Sequence, residues 1–229
     1  MMGMMMRRWA AAAATLLMTT GLISSAPPSW AAADTPPAAA APASELEMPE
    51  PPSPEEARRQ LASLQVAPEN DMPGYSRSKF PHWITQYGTC DTREVVLQRD
   101  GTDVSQDDQC RAISGHWVSP YDGVAAEAAG QLDIDHVVPL KEAWRSGAAA
   151  WTTEDRKAFA NDLVHSQLVA VSARSNRSKA DKDPANWQPP LASYRCIYGR
   201  AWISVKYVYD LAVDPAERSA LEGMLETCA

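Results

Sequence analysis

The chain has 229 residues, with 21 Lys and Arg against 29 Asp and Glu for a net charge of −8, and it is 45% hydrophobic with four cysteines and eight tryptophans. That charge excludes a broad basic surface of the kind that grips nucleic acid non-specifically, while the apolar fraction is sufficient for a packed core. Beyond the N-terminal segment, no run is long and apolar enough to span a bilayer.

Arg7 and Arg8 precede an apolar stretch from Trp9 to Ile23, and small residues then lead to Ala31-Ala32-Ala33. The apolar stretch falls short of the roughly 20 residues of a spanning helix, so residues 1–33 read as a secretory signal peptide ahead of an uncleaved anchor. The protein is expected to be secreted and extracellular, with no membrane association after cleavage. Residues 34–70, rich in Pro, Ala and Glu, read as a disordered linker with a possible short helix from Pro54 to Leu61 that either packs on the domain or merely precedes it. A single domain from 71 to 229 follows, with six tryptophans to build its core.

In chain order, Thr92 to Arg99 and Gly115 to Ser119 read as strands, the second closed by the turn Tyr121-Asp122-Gly123. Leu132 to Val138 alternates as a strand and is stopped by Pro139. Leu140 to Trp151 and Glu154 to Leu163 read as helices, the latter capped by Thr152 or Thr153. Leu168 to Val171 is a short apolar strand, and Ala173 to Ala180 starts a helix. Tyr194 to Leu211 and Asp214 to Cys228 close the chain as helices, the last opening on the capping box Asp214 and Glu217. The class is α+β with helices in excess.

All four cysteines lie in the domain without Cys-x-x-Cys spacing. In an exported chain they read as two disulfides, most simply Cys90 with Cys110 and Cys196 with Cys228, among three possible pairings. Residues 174–206 carry seven basic residues against Asp181 and Asp183, a local net of +5 inside an acidic domain. A segment of this kind can hold a phosphate backbone locally.

The chemistry concentrates in Leu132-Asp133-Ile134-Asp135-His136-Val137-Val138-Pro139-Leu140 and, about forty residues on, Ser175-Asn176-Arg177-Ser178-Lys179-Ala180-Asp181. Adjacent strand residues face opposite sides, so Asp135 and His136 at a strand end can divide metal and substrate between them. Over residues 132–184 these motifs resemble the HNH endonucleases, the ββα-metal nucleases. More loosely, Phe80-Pro81-His82-Trp83, the stretch from Cys90 to Leu97 and that from Asp183 to Trp187 resemble a secreted bacterial branch related to the C-terminal domain of a modification-dependent restriction enzyme.

The resemblance implies a ββα-metal (HNH) motif embedded in a helix-rich, disulfide-stabilised single domain. It implies His136 as general base, Asp135 and Asn176 as ligands of a divalent metal, and Arg177 and Lys179 as phosphate-holding cations. Mg²⁺ comes first, with Mn²⁺ or Ca²⁺ as alternatives. The departure is the middle Asn, which steadies the loop carrying the histidine: Gln167 stands at its expected position, and Asn161 is the other candidate. His82, His116 and His165 read as packing or surface histidines. Asp91, Arg93 and Glu94 are further site candidates, with Arg93 and Glu94 equally a structural ion pair. Trp83, Trp117, Trp187 and Trp202 read as core, with base stacking the alternative.

The expected function is a secreted, metal-dependent endonuclease that hydrolyses phosphodiester bonds, in DNA ahead of RNA and with low sequence specificity. The alternatives are a non-catalytic secreted binding protein on the same scaffold and a secreted RNase or toxin.

Overall fold

The computed structural model describes residues 48–69 and 73–228, so the signal peptide and residues 34–47 of the expected linker lie outside the described residues. The described residues fall within one unit, Ser44–Ala229. The fold is mixed α+β, with seven α-helices and three small sheets among the described residues.

The chain begins with α1 (Pro54–Ser63), capped by the Ser53 hydroxyl, which accepts from the Glu56 amide, and set by Pro54 in its first turn. Two short strands, β1 (Thr85–Tyr87) and β2 (Cys90–Asp91), pair before α2 (Thr92–Asp100). A three-stranded antiparallel sheet follows, β3 (Thr102–Gln106), β4 (Ala112–Val118) and β5 (Ala125–Ala126). Next come β6 (Leu132–His136), α3 (Leu140–Arg145), α4 (Thr153–Ala160), β7 (Leu168–Ser172) and α5 (Ala173–Lys179), then α6 (Arg195–Val208) and α7 (Pro215–Glu226).

The β6–β7 ribbon divides two cores. Its antiparallel register is unbroken from Leu132 opposite Ser172 to His136 opposite Leu168. Leu132, Ile134, Leu168 and Ala170 pack with Val96, Leu97 and Trp117, whereas Val169 and Val171 join the larger cluster with Tyr121, Tyr198 and Trp202. Directly opposed residues share a face, so Asp133 and Asp135, opposite Val171 and Val169, stand on the side of the larger cluster. α5 leaves β7 directly and packs across both strands there.

Three expectations need correction. Thr92 to Arg99 is a helix rather than a strand: the Asp91 carboxylate accepts from the Glu94 amide at 3.0 Å, and the buried residues Thr92, Val96 and Leu97 follow a helical spacing that outweighs the β-branched Val95-Val96 pair. The helix from Leu140 stops at Arg145 instead of reaching Trp151, because Gly147 turns the chain at φ 145°, a conformation open to glycine. Finally, residues 48–69 are not a disordered linker: of the two alternatives for the short helix, it packs on the domain. Ala57, Leu61 and Leu64 are buried in the larger cluster, Arg58 donates to the Leu225 carbonyl at 2.8 Å, and Arg200 donates to the Pro51 and Pro52 carbonyls. Val66 bridges to Val213 in parallel. The stripe that anchors this segment is only three apolar side chains wide, too narrow to stand out in a Pro-rich stretch.

Other expectations hold. The disulfides are Cys90–Cys110 and Cys196–Cys228, the second joining the start of α6 to the second residue beyond α7. Thr152 is the cap of α4, and Asp214 with Glu217 forms the capping box of α7. No helix among the described residues is long and apolar enough to cross a membrane.

Candidate functional site

At the C-terminal end of β6 a cleft of about 190 Å³ is lined by Asp135, His136, Asn176 and Arg177, together with Arg77 from the segment before β1. The ribbon and the helix that follows it thus converge residues separated by forty positions of sequence. A larger groove of about 470 Å³, lined by Met48, Val118, Tyr194 and Ile197 among others, does not include them.

His136 is 4% exposed, and its Nε2 lies 2.9 Å from the Ala160 carbonyl at the end of α4. A carbonyl only accepts, so Nε2 carries the proton and Nδ1 keeps the lone pair. Burial lowers the imidazole to about 3, aided by the positive charge of Arg77 and opposed by the Ala160 contact, so the ring is neutral at physiological pH. The loop after His136 is held by Gln167. Its backbone carbonyl accepts from the Val137 amide at 2.7 Å, its Oε1 accepts from the Val138 amide at 3.0 Å, and its Nε2 donates to the Val138 carbonyl at 2.9 Å. Asn161 makes no contact of this kind: it bonds to Pro81, Ile84, Thr92 and Lys157. Of the two candidates for steadying the histidine loop, Gln167 is the one placed on it.

Asp135 is 5% exposed and faces α5. Its Oδ2 accepts from the Tyr121 hydroxyl at 2.6 Å and the Lys179 ammonium at 2.9 Å, and its Oδ1 accepts from Lys179 at 3.0 Å. Burial pushes this carboxyl above the usual carboxylate range, against the pull of Lys179 and Tyr121, and burial likewise lowers Lys179 against the pull of Asp135. Each oxygen offers two lone pairs, so Oδ2 is filled and Oδ1 retains one. Asn176 donates from Nδ2 to Asp133 at 3.1 Å, and its Oδ1 takes no hydrogen bond among the described residues. An oxygen of each residue is therefore available to a hard cation, which would complete its shell with water and substrate.

Lys179 does not sit where a substrate would meet it. Its side chain is fully buried, and its third hydrogen bond goes to the His136 carbonyl at 2.8 Å. Arg177, by contrast, is 76% exposed in its side chain, and Arg77, which also lines the cleft, is exposed. Arg93 and Glu94 form an ion pair, with Glu94 also accepting from the Ala112 amide, and Asp91 is the cap of α2. His116 pairs with Glu127 on the surface and His165 with Asp162. Trp117 and Trp202 are core, while Trp83 and Trp187 are partly buried.

Sequence reasoning missed Tyr121, Arg77 and the stacking of Trp83 on His136. Tyr121 stood in a turn signal, with nothing to show that its hydroxyl meets Asp135 across 14 residues. Among the described residues, a cluster of carboxylates at metal-ligand spacing occurs elsewhere, at Glu69, Asp183 and Asp214. Asp183 there is spent on Asn186 and the amides of Ala185 and Asn186.

The model of the GmrSD restriction endonucleases, C-terminal domain, matches residues 91–222, more than half of the chain. A protein of Arthroderma benhamiae named as an uncharacterized secreted protein is 57% identical over 180 residues, covering 79% of this chain and 88% of that one. Its name agrees with the secretion expected from the N-terminal segment. No solved structure matches the chain. The chain belongs to the family of the C-terminal domain of the GmrSD restriction endonucleases.

Proposed function

We propose that the protein is a secreted HNH endonuclease that hydrolyses phosphodiester bonds in nucleic acid, DNA ahead of RNA, with little sequence preference. The observation that carries this reading is the convergence of Asp135, His136 and Asn176 on one cleft, with the imidazole tautomer set so that Nδ1 is the basic nitrogen. β6, β7 and α5 then stand as the ββα element of the fold.

In this reading His136 Nδ1 removes a proton from the attacking water, whose oxygen bonds to phosphorus as the P–O3′ bond breaks and the 3′ oxygen takes a proton from solvent. Ala160 steadies the imidazolium that forms, by accepting from Nε2. Asp135 Oδ1 and Asn176 Oδ1 would hold a divalent cation, Mg²⁺ first, which supplies positive charge for the phosphoryl group and the leaving oxygen. Arg77 and Arg177, which both line the cleft, hold flanking phosphates. Lys179 gives up the phosphate role first read into it and serves as the counter-charge that keeps Asp135 ionised. Among the described residues no base-reading module accompanies the cleft, and the low sequence preference is proposed on that basis.

Nicking of supercoiled plasmid in Mg²⁺ or Mn²⁺ tests the reading. His136→Ala is expected to lose on the order of 10²–10⁴ in rate, the range for a general base, and EDTA to abolish cleavage. Cleavage that survives both sinks the assignment. One observation favours a second reading, a non-catalytic nucleic-acid binder: Lys179 occupies the carboxylate that a metal would need. That reading predicts DNA retention without nicking in any divalent cation.

A further inference from the structure

Trp83 stands in the left-handed region at φ 58°, a conformation that a bulky L-residue rarely holds unless its surroundings impose it. The imposition is visible on both sides of it. Asn161 donates from Nδ2 to the Pro81 carbonyl at 2.8 Å and accepts at Oδ1 from the Ile84 amide at 3.2 Å. Upstream, Phe80 is fully buried in the larger core, and downstream Thr92 ties to the Ile84 carbonyl at 3.0 Å through its amide. Strain maintained this firmly points to a side chain that is needed in one place.

That place is the face of His136. The indole and imidazole lie with centroids 5.6 Å apart and planes 27° from parallel. The Ala160 carbonyl holds one edge of the imidazole, but a single hydrogen bond leaves the ring free to tilt about that contact. A stacked indole removes the tilt. Both restraints issue from the end of α4, since Asn161, which sets the arm of Trp83, follows Ala160 in sequence.

We infer that Trp83 is a positioning residue of the cleft, held in a strained backbone by Asn161 so that its indole fixes the ring plane of His136 and thereby the direction of Nδ1. The inference rests on the proposed hydrolytic role of His136. It departs from the default reading of Trp83 as a core tryptophan, and from a platform for substrate bases.

The test compares Trp83→Phe with Trp83→Leu in steady-state cleavage of a DNA oligonucleotide with Mg²⁺, with Tm measured beside each. Phe, which can stack, is expected to stay within about threefold of the parent, whereas Leu, which fills the space without a planar face, is expected to lose about tenfold or more in kcat at little changed KM. A raised KM with kcat preserved would assign Trp83 to substrate contact, and equal activity of the Leu and Phe variants would remove the stack from the mechanism; either overturns the inference. Independently of turnover, the His136 ring protons are expected upfield in the NMR spectrum of the metal-free parent and to move back in Trp83→Leu. Unshifted protons in the parent overturn the stack even if Trp83→Leu fails to fold. A parent that shows the upfield protons but cleaves neither DNA nor RNA refutes the hydrolytic reading, and with it a catalytic use of the stack.

Discussion

Two fully buried lysines in this molecule meet carboxylates, and they are built to opposite ends. Lys206, on α6, donates to Glu142 at 2.8 Å, to Glu217 at 2.7 Å and to the Ala212 carbonyl at 2.8 Å. Burial alone would lower it, but the two carboxylates outweigh burial and its affinity for the proton is raised. Lys179, on α5, has a single carboxylate, Asp135, and there burial wins and the ammonium is lowered. The first knot lies among helices and lines a separate cavity of about 370 Å³, where Arg145 pairs Glu142 and the Trp202 indole donates to Glu217. The second opens onto the cleft through Asp135. An ion cluster whose charges compensate one another holds a fold together; an under-compensated one beside a cleft leaves its carboxylate with an unused lone pair for a ligand.

The largest effect that would separate the two is Lys206→Met. It strands two buried carboxylates and is expected to cost about 3–5 kcal/mol in urea unfolding, the range for breaking a buried ion pair. Lys179→Met is expected to cost less, about 1–3 kcal/mol, because Asp135 can regain water or a cation from the cleft. In that variant Mg²⁺ should raise Tm more than in the parent, and an equal Mg²⁺ shift in both proteins would break the contrast. Glu217, raised by burial to about 7 in the folded protein, gives a smaller signal. The native state then binds more protons than the unfolded chain between the ordinary glutamate pKa and about 7, so stability should fall as pH rises through that window. Glu217→Gln should flatten this slope in denaturation measured at several pH values. The smallest effect is at the mouth of the open site. Arg177→Ala should weaken DNA binding and reduce the slope of log affinity against log salt by about one, as for one lost phosphate contact, whereas Lys206→Met should show no such salt signature.

Much of the site was legible because the residues that carry it lie in two short, unbroken segments. Asp135 and His136 are neighbours on one strand, and Asn176, Arg177 and Lys179 share one helix turn and a half, so a local motif is enough to nominate them. Their assignments separated only when burial was known. Arg177 and Lys179 are both cations on α5, yet one is exposed and the other closes under β6 onto Asp135. Gln167 was likewise nominated by its position ahead of β7, but its two-pronged hold on Val138 is a contact across 29 residues. α2 shows the converse, a local signal misread: Asp91 and Glu94 spelled a helix start, while Val95 and Val96 suggested a strand. Burial of Val96 and Leu97 against the ribbon favours the helix.

Elements whose cause is local were legible in the chain alone: the caps at Thr152 and Asp214, the alternating strand from Leu132, the break at Pro139, and the dipeptide that bears the candidate base and ligand. Which side chains meet followed from the packing of distant segments. That packing brought Tyr121 and Lys179 to Asp135, Ala160 and Trp83 to His136, and residues 48–69 onto α6 and α7. Hydrogen bonding within a turn depends on spacing of a few residues, which the chain states directly. Burial and pairing of charges depend on the whole packing arrangement, and no window of the sequence contains it.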